Sequence, residues 1–413
     1  MDIVAMIKNE MQQRDITIKE LAVISKTTSA TISRFLSRKI ENLRFEYLLP
    51  VIQYLFPENE LEIMKNYCPV LEGQNARLAL DYASFNHLTD LEIKLIEKLR
   101  MSKNEKDIEW AQLYEIYRRS RIQELFGWDL VKELDALNPS DDEAVCFLIL
   151  MYMHAYVHIS RRSAYEYGKR AEWALNKVAN PYLINAFTLR YSLLQLLNSF
   201  YLGKEEELLF HSSNILRLEK RRYQIGIVYH ALGEFYNYID FEKSEAYLRK
   251  ALQIFEEIQH EDLQFAVRGS LMHLYNFWRK EPPYLYPDSD NLYYKMEYAR
   301  YLINQSELEK AKEILRFAEK KLLLEKHEDK FTLHADYLGQ YWYYMGLAYD
   351  NKDYLYESII EYNKGEIYVA TLAPALELLR RGEGLSAVRA ATHYRDKRYY
   401  ERFLAANKQT FNG

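Results

Sequence analysis

The residues best suited to chemistry lie near the N-terminus, where basic and hydroxyl side chains share a short stretch. Between Lys26 and Arg44, five basic residues accompany one acid, Glu41, in a chain whose overall net charge is −5. Arginine and lysine at this density pair with phosphate, and hydroxyl groups bond to phosphates or base edges. The stretch therefore predicts DNA contact. The residues assigned to it are Lys26, Thr28, Ser29, Thr31, Arg34, Arg38 and Lys39.

Small and apolar residues around this stretch predict two short helices joined by a turn. Thr17 and Glu20 have the spacing of a capping box, which marks a helix start. Ala22 allows a second helix to cross closely, and Ile32 would bury against the first. The pattern resembles the helix-turn-helix of the Cro/repressor-like class. Lys26 replaces the usual turn glycine there and would have to adopt a left-handed backbone. An ordinary helical hairpin with solvated charges is the alternative.

Signatures of enzymatic or metal chemistry are weak in the rest of the sequence. His154 and His158 have the spacing of metal ligands on one helix face, but no third ligand accompanies them. Cys68 and Cys146 stand in apolar surroundings, which is typical of packing residues rather than nucleophiles. The glycines of 382–387 match a dinucleotide loop only formally, because no strand precedes them. We therefore expect no catalytic residue, no metal site, no cofactor and no enzymatic activity.

Composition and hydrophobic spacing predict helices almost throughout. The 413 residues include only 13 Gly and 9 Pro, and apolar residues recur every three or four positions. Two cysteines suit a reducing compartment, and the N-terminus lacks the apolar region of a signal peptide. The longest apolar run, 144–157, is too short to span a bilayer. The sequence thus predicts an all-α cytoplasmic protein without membrane contact.

Three segments of the second half have the spacing of tetratricopeptide repeats, which are helix hairpins with small residues at the crossing points. The phased positions are Gly233, Tyr236, Ser244, Leu248 and Ala251; Ala299, Leu302, Ala311, Leu315 and Ala318; and Gly346, Tyr349, Ser358, Tyr362 and Gly365. They predict a right-handed helical solenoid that follows the helix-turn-helix domain. The alternative is a compact bundle of unrelated amphipathic helices.

A helix-turn-helix followed by such repeats is the layout of the RRNPP family of peptide-sensing regulators. Within it the chain resembles the phage arbitrium receptors (AimR-like), and the likeness extends from about Glu60 to Leu378. The most distinctive match is 276–281, Asn-Phe-Trp-Arg-Lys-Glu, and further matches are 64–68, 76–83, 114–118 and 356–362. We divide the chain accordingly. The divisions are a helix-turn-helix domain (1–60), connecting helices (61–105), a peptide-binding solenoid (106–378) and a C-terminal helical extension (379–413) that is a candidate dimer contact.

The resemblance implies a DNA-binding transcriptional regulator in a phage or prophage lysis–lysogeny switch of a bacterial host. Its partners would be a double-stranded DNA operator, a second copy of the chain in a homodimer, and a short signalling peptide of about six residues. The peptide would control operator affinity from the solenoid groove. The alternative function is that of a Rap-like repeat protein, which inhibits a protein partner without binding DNA.

The resemblance also implies which polar residues hold the peptide. Arg222, Asn276 and Glu366 are the counterparts of an arginine, an asparagine and an acid of the family site. A peptide in a groove needs anchors of both signs and amides for its backbone. The complete predicted set is Arg222, Asn237, Asn276, Tyr362, Glu366 and Tyr368. Arg222 would pair with the peptide carboxylate, unless it is only a solvated charge at a helix end.

Overall fold

A computed structural model describes residues 2–219, 221–324, 331–392 and 397–406 of the chain. All regular elements in these ranges are helices, and no strand occurs among them. The predicted all-α class is therefore confirmed. No helix in these ranges is both long enough and apolar enough to cross a membrane.

Residues 2–135 form nine helices of 7 to 17 residues, and four of these begin at a residue whose side chain accepts a backbone N–H. They are α1 (Ile3–Gln13), α2 (Ile18–Ile24), α3 (Ser29–Leu36), α4 (Phe45–Leu55), α5 (Glu60–Tyr67), α6 (Gly73–Phe85), α7 (Thr89–Arg100), α8 (Glu105–Arg121) and α9 (Gly127–Asp135). Short 3₁₀ turns at Pro57–Asn59 and Cys68–Val70 flank α5.

The helices that follow in the described ranges have 8 to 21 residues. They are α10 (Asp142–Val157), α11 (Arg161–Leu175), α12 (Pro181–Tyr201), α13 (Glu205–Leu218), α14 (Arg222–Tyr236), α15 (Phe241–Glu257), α16 (Glu261–Phe277), α17 (Leu292–Asn304), α18 (Leu308–Leu324), α19 (Phe331–Ala348), α20 (Lys352–Lys364), α21 (Leu372–Arg380), α22 (Leu385–Thr392) and α23 (Lys397–Ala406). A 3₁₀ turn at Tyr368–Thr371 precedes α21. The proline-rich stretch of 281–288 lies outside any helix, because each proline removes a backbone donor.

The chain forms two compact units. The first comprises Met1–Ala155 with Arg170–Phe187, and the second comprises Tyr156–Lys169 with Thr188–Gly413. The core of the N-terminal helices in the first unit consists of apolar side chains that α1 to α4 contribute. Its fully buried members include Ile7, Leu21, Ile32, Phe35, Leu48 and Ile52.

Both cysteines are packing residues of the first unit. Cys68 and Cys146 are completely buried. Burial raises the pKa of each thiol to about 12, so both are protonated at neutral pH. This agrees with the interpretation of their apolar surroundings.

The second unit is built from helix hairpins whose crossing points have small residues, as the repeat spacing predicts. A Cβ atom on Gly233 would lie 2.6 Å from Leu248 Cγ, and one on Gly346 would lie 2.5 Å from Leu355 Cδ2. Only glycine therefore permits the observed closeness of α14 to α15 and of α19 to α20. The helical solenoid is confirmed. Tyr349 differs from its predicted packing role, because 39% of its surface is exposed.

Candidate functional site

The helix-turn-helix predicted from the sequence is present in the first unit. The Thr17 hydroxyl accepts a hydrogen bond from the Glu20 N–H at 3.2 Å, and a Glu20 carboxylate oxygen accepts one from the Thr17 N–H at 2.6 Å. This reciprocal pair is the predicted capping box, and α2 begins there. Lys26 has a φ of 52°, the left-handed conformation that the missing turn glycine predicted. Ala22 and Ile32 are buried where α2 packs on α3.

The residues assigned to DNA binding are accessible to solvent. Thr31 is half-buried, and the other six are exposed. The Thr28 hydroxyl accepts the Thr31 N–H at 3.1 Å and lies 2.9 Å from the Thr31 hydroxyl, so both groups stand at the first turn of α3. Arg38 forms an ion pair with Asp2. Arg34 and Lys39 form none within the described ranges, so a phosphate would not have to displace an existing partner from them.

Arg222 occupies the first position of α14, and 52% of its side chain is exposed. It forms an ion pair with Glu257 at the end of α15. Within the described residues, no hydrogen bond or ion pair joins it to the other five predicted peptide-binding residues. Arg222 therefore has the contacts expected of a solvated charge at a helix end, which is the alternative to a role in binding the peptide carboxylate.

The two asparagines of the predicted set are buried and already hydrogen-bonded within the second unit. Asn237 Oδ1 accepts the Ser244 hydroxyl at 2.8 Å. Asn276 donates from Nδ2 to Glu297 Oε2 at 2.9 Å, and its Oδ1 has no partner in the described chain. Asn276 has no exposed surface, so it lies beneath the surface that a peptide would contact.

Glu366 and Tyr368, by contrast, line one pocket of about 210 Å³. The Glu366 carboxylate accepts hydrogen bonds from the Ser160 hydroxyl at 3.2 Å and from the Arg162 N–H at 2.9 Å. Arg162 also donates from Nη2 to the Tyr368 hydroxyl at 3.1 Å. The first turn of α11 therefore meets the segment after α20, more than two hundred residues later in the chain. Tyr362 is buried beside this segment, against Ile367 and Ala370.

Three acidic side chains of the second unit were missed by the sequence reasoning. Glu234, Glu297 and Asp336 are each the single acid of a helix in which apolar and aromatic residues predominate, namely α14, α17 and α19. An isolated acid in such a helix is the sequence signal that would have revealed them.

Glu297 organises a buried polar network. It is fully buried and accepts hydrogen bonds from His273 Nδ1 at 2.8 Å and from Gln340 Nε2 at 2.6 Å. Burial disfavours the ionised carboxyl, but His273 and the donors around it outweigh burial and keep the pKa of Glu297 below its usual range.

Glu234 and Asp336 are partly accessible. Glu234 accepts the Ser270 hydroxyl at 2.7 Å and keeps 33% of its side chain exposed. Burial, and then the charge of Glu234, raise the pKa of Asp336 to about 6, while His273 and Arg161 oppose the rise. These groups therefore lie near enough to affect one another and give the second unit an acidic, partly accessible interior.

Comparison with known proteins identifies the family. The AimR transcriptional regulator-like family matches residues 60–380, almost the range over which the sequence resembles arbitrium receptors. The helix-turn-helix lies outside that match. The AimR transcriptional regulator of Bacillus phage phi3T is 26% identical over 390 residues, which are 92% of this chain and 98% of that protein.

Solved structures agree with the fold. The selenomethionine structure of phAimR superposes with a TM-score of 0.70 at 24% identity, covering 95% of this chain and all of that one. The structure of phAimR with a ligand gives a TM-score of 0.63 at 25% identity, covering 83% of this chain and 98% of that one. Since the family match spans well over half of the sequence, this chain belongs to the AimR transcriptional regulator-like family.

Proposed function

We propose that this chain is a phage transcriptional regulator that binds operator DNA through its helix-turn-helix and changes its DNA affinity when a short peptide binds the second unit. The observation that carries the proposal is the exposed basic surface of α3 and its turn in a member of the AimR-like family. A Rap-like protein that inhibits a protein partner would have no use for such a surface. The ligand-bound phAimR structure supports a ligand-responsive solenoid.

The proposal assigns a part of the chain to each task. Residues 1–60 bind DNA, 61–105 connect, 106–378 form the peptide-binding solenoid, with the peptide held by its second-unit part, and 379–413 form the C-terminal extension. In the extension, Arg402 of α23 pairs with Glu205 of α13 at 2.5 Å, so α23 packs on the unit's own repeats. A homodimer would place two recognition helices on a pseudo-palindromic operator.

Within the DNA-binding part, helix geometry orders the contacts. The first turn of a recognition helix enters the major groove, so Thr28, Ser29 and Thr31 face base edges or flanking phosphates. Arg34 extends along the same helix toward a guanine, whose O6 and N7 suit a guanidinium. Lys26, Arg38 and Lys39 contact phosphates, Arg38 after release from Asp2.

The peptide-binding proposal retains the predicted set and separates its members by accessibility. Glu366 and Tyr368 line an open pocket, with Tyr362 behind them, and are the best-placed contacts. Asn237 and Asn276 support the site from beneath. Arg222 contacts the peptide only if it leaves Glu257. The partly exposed carboxylates of Glu234 and Asp336 would suit a cationic peptide side chain.

The direct test of the function is a DNA-binding titration with and without peptide. Duplexes selected from a random pool by the full-length chain would be titrated in the presence of the peptide that a short neighbouring reading frame encodes. We expect the peptide to change DNA affinity and a scrambled peptide to leave it unchanged. Selection of no duplex, or a DNA affinity that is indifferent to bound peptide, would refute the proposal.

Replacing Lys39 or Arg34 with alanine should affect DNA binding differently. Lys39→Ala removes one phosphate contact, so binding to all duplexes should weaken alike and the slope of log affinity against log salt should fall by about one. Arg34→Ala should instead relax base preference at one position by about 1–3 kcal/mol. Electrophoretic mobility shifts at several salt concentrations on single-base variants of the selected duplex measure both effects.

Lys132→Ala is the control, because this substitution removes the same charge as Lys39→Ala. Lys132 is exposed in α9, outside the helix-turn-helix. If Lys132→Ala lost as much DNA affinity as Lys39→Ala, the loss would come from the change in net charge and not from a phosphate contact of Lys39. If neither Lys39→Ala nor Arg34→Ala changed binding, α3 would not be the recognition helix.

A further inference from the structure

The helix α23 contacts the start of α13, which lies 197 positions earlier in the chain. Arg402 Nη1 donates to both carboxylate oxygens of Glu205, at 2.6 Å and 2.5 Å. The Glu205 carboxylate also accepts the Tyr236 hydroxyl at 2.8 Å, from the end of α14. Phe403, the next residue of α23, has no exposed surface. A buried aromatic ring and a charge-assisted hydrogen-bond pair therefore hold α23 on the second unit.

The preceding helix, α22, is attached to the last hairpin of the repeats. Asn363 of α20 donates from Nδ2 to the Ala391 carbonyl at 2.8 Å. Glu383, just before α22, accepts hydrogen bonds from Lys352 Nζ at 2.9 Å and from the Tyr356 hydroxyl at 3.3 Å, both in α20. The two helices α22 and α23, which we call the strap, thus connect α20 with α13.

The helices that the strap connects also meet each other directly. Tyr201, at the end of α12, packs against the buried cluster that contains Tyr362 and Ile367, and we call this contact the junction. Glu205 follows Tyr201 by four positions, and Asn363 follows Tyr362 directly. The strap is therefore anchored close to the junction on both sides. The pocket of about 210 Å³ described above is lined by residues of the same segment after α20.

We propose that the strap fastens this junction, and that α23 must leave α13 before the junction opens and a ligand enters or leaves the second unit. The gating part of the inference rests on the proposed peptide-receptor function. The attachment of α23 opens first because Arg402 keeps 46% of its side chain exposed, and water competes for such an ion pair. The family match ends at residue 380, so both helices of the strap lie outside the matched range.

Arg402→Glu tests the strap, because it places a second carboxylate beside Glu205 and leaves the hydrogen bond from Tyr236 in place. Hydrogen–deuterium exchange on the full-length chain should become faster in 401–406, and also in 160–169 and 362–371 at the junction. In stopped-flow experiments with the peptide of the neighbouring reading frame, association and dissociation should both accelerate by about fivefold, the factor that corresponds to about 1 kcal/mol for one ion pair. Peptide affinity should not change, because a weaker strap raises the open fraction of the free and the bound chain alike.

Arg249→Glu is the matched control, because Arg249 is 51% exposed on α15 and also forms an ion pair, with Glu245. It should leave exchange at the junction and both peptide rates unchanged. The double variant Glu205→Arg/Arg402→Glu restores an ion pair of reversed direction and should return exchange at the junction toward the wild-type rate. Phe403→Ala, which removes the buried ring of α23, is a second way to release the strap and should act like Arg402→Glu.

Other results would overturn particular parts of the inference. Faster exchange confined to 401–406 in both α23 variants would show that the junction is closed without the strap. Faster exchange at the junction with unchanged peptide rates would leave a fastening strap and overturn the gate. Binding of no peptide by the wild type would overturn the receptor function, while exchange at the junction would still decide whether the strap fastens it. Recovery of slow exchange on mixing Arg402→Glu with Glu205→Arg would show that α23 docks on a second copy of the chain, which would overturn an intramolecular strap.

Discussion

Replacing Glu297 with leucine is expected to lower the free energy of unfolding of the second unit by about 3–5 kcal/mol, the range observed when one partner of a buried ion pair is removed. The physical reason is the set of donors that would lose their acceptor. His273, Asn276 and Gln340 all donate to this one fully buried side chain, at 2.6 to 2.9 Å. A leucine fills the volume but accepts no hydrogen bond, so these polar groups would remain buried and unpaired.

Chemical denaturation followed by circular dichroism measures this loss. Glu166→Leu is the matched control, because Glu166 lies on α11 with 54% of its side chain exposed, and its one ion pair among the described residues is with Lys169. Its change should stay within about 1 kcal/mol, as for other surface ion pairs. Glu297→Gln, which keeps the shape but not the charge, should fall between the two. Equal losses of unfolding free energy in Glu297→Leu and Glu166→Leu would contradict a stabilising role for the hydrogen bonds to Glu297.

The second large effect is a pH dependence of stability that arises from His211. This side chain is 3% exposed in α13, with the ring of Tyr191 at its edge. Burial lowers the pKa of His211 to about 4 from an ordinary value of 6.5, against the opposing charge of Glu207. Between these two values the unfolded chain binds more protons than the folded chain, so stability falls as the pH decreases from 6.5 to 4. The shift corresponds to about 3 kcal/mol.

His211→Phe should abolish this contribution, since phenylalanine does not titrate and fits apolar surroundings. Wild type and variant would be unfolded with denaturant at pH 7.5 and at pH 4.5, and the pH-dependent loss should be smaller in the variant. Asp336, with a pKa of about 6, opposes the trend in the same pH range, but it does so in both proteins and cancels in the comparison. Identical pH dependence in the two proteins would show that His211 titrates normally.

Several features of the molecule were determined by local sequence. Two of them, the Thr17 capping box and the left-handed Lys26, depend on residues a few positions apart. The third, the glycines at the hairpin crossings, depends on one helix and the helix that follows it. Local spacing sets these features because most other residues would be unfavourable at these positions. At a close helix crossing a larger side chain would clash, and at a helix start a residue without an acceptor would leave backbone N–H groups unpaired. The solenoid and the exposed basic helix could therefore be predicted before the fold was known.

The state of the candidate site residues was decided only by the tertiary structure. Asn276 and Arg222 look equally polar in the sequence, yet Asn276 is fully buried and hydrogen-bonded to Glu297, whereas Arg222 is half-exposed and paired with Glu257. The pocket depends on the contact of Ser160 with Glu366, which are 206 positions apart. No spacing rule reaches that far, because the burial of a polar group depends on which distant helix packs over it.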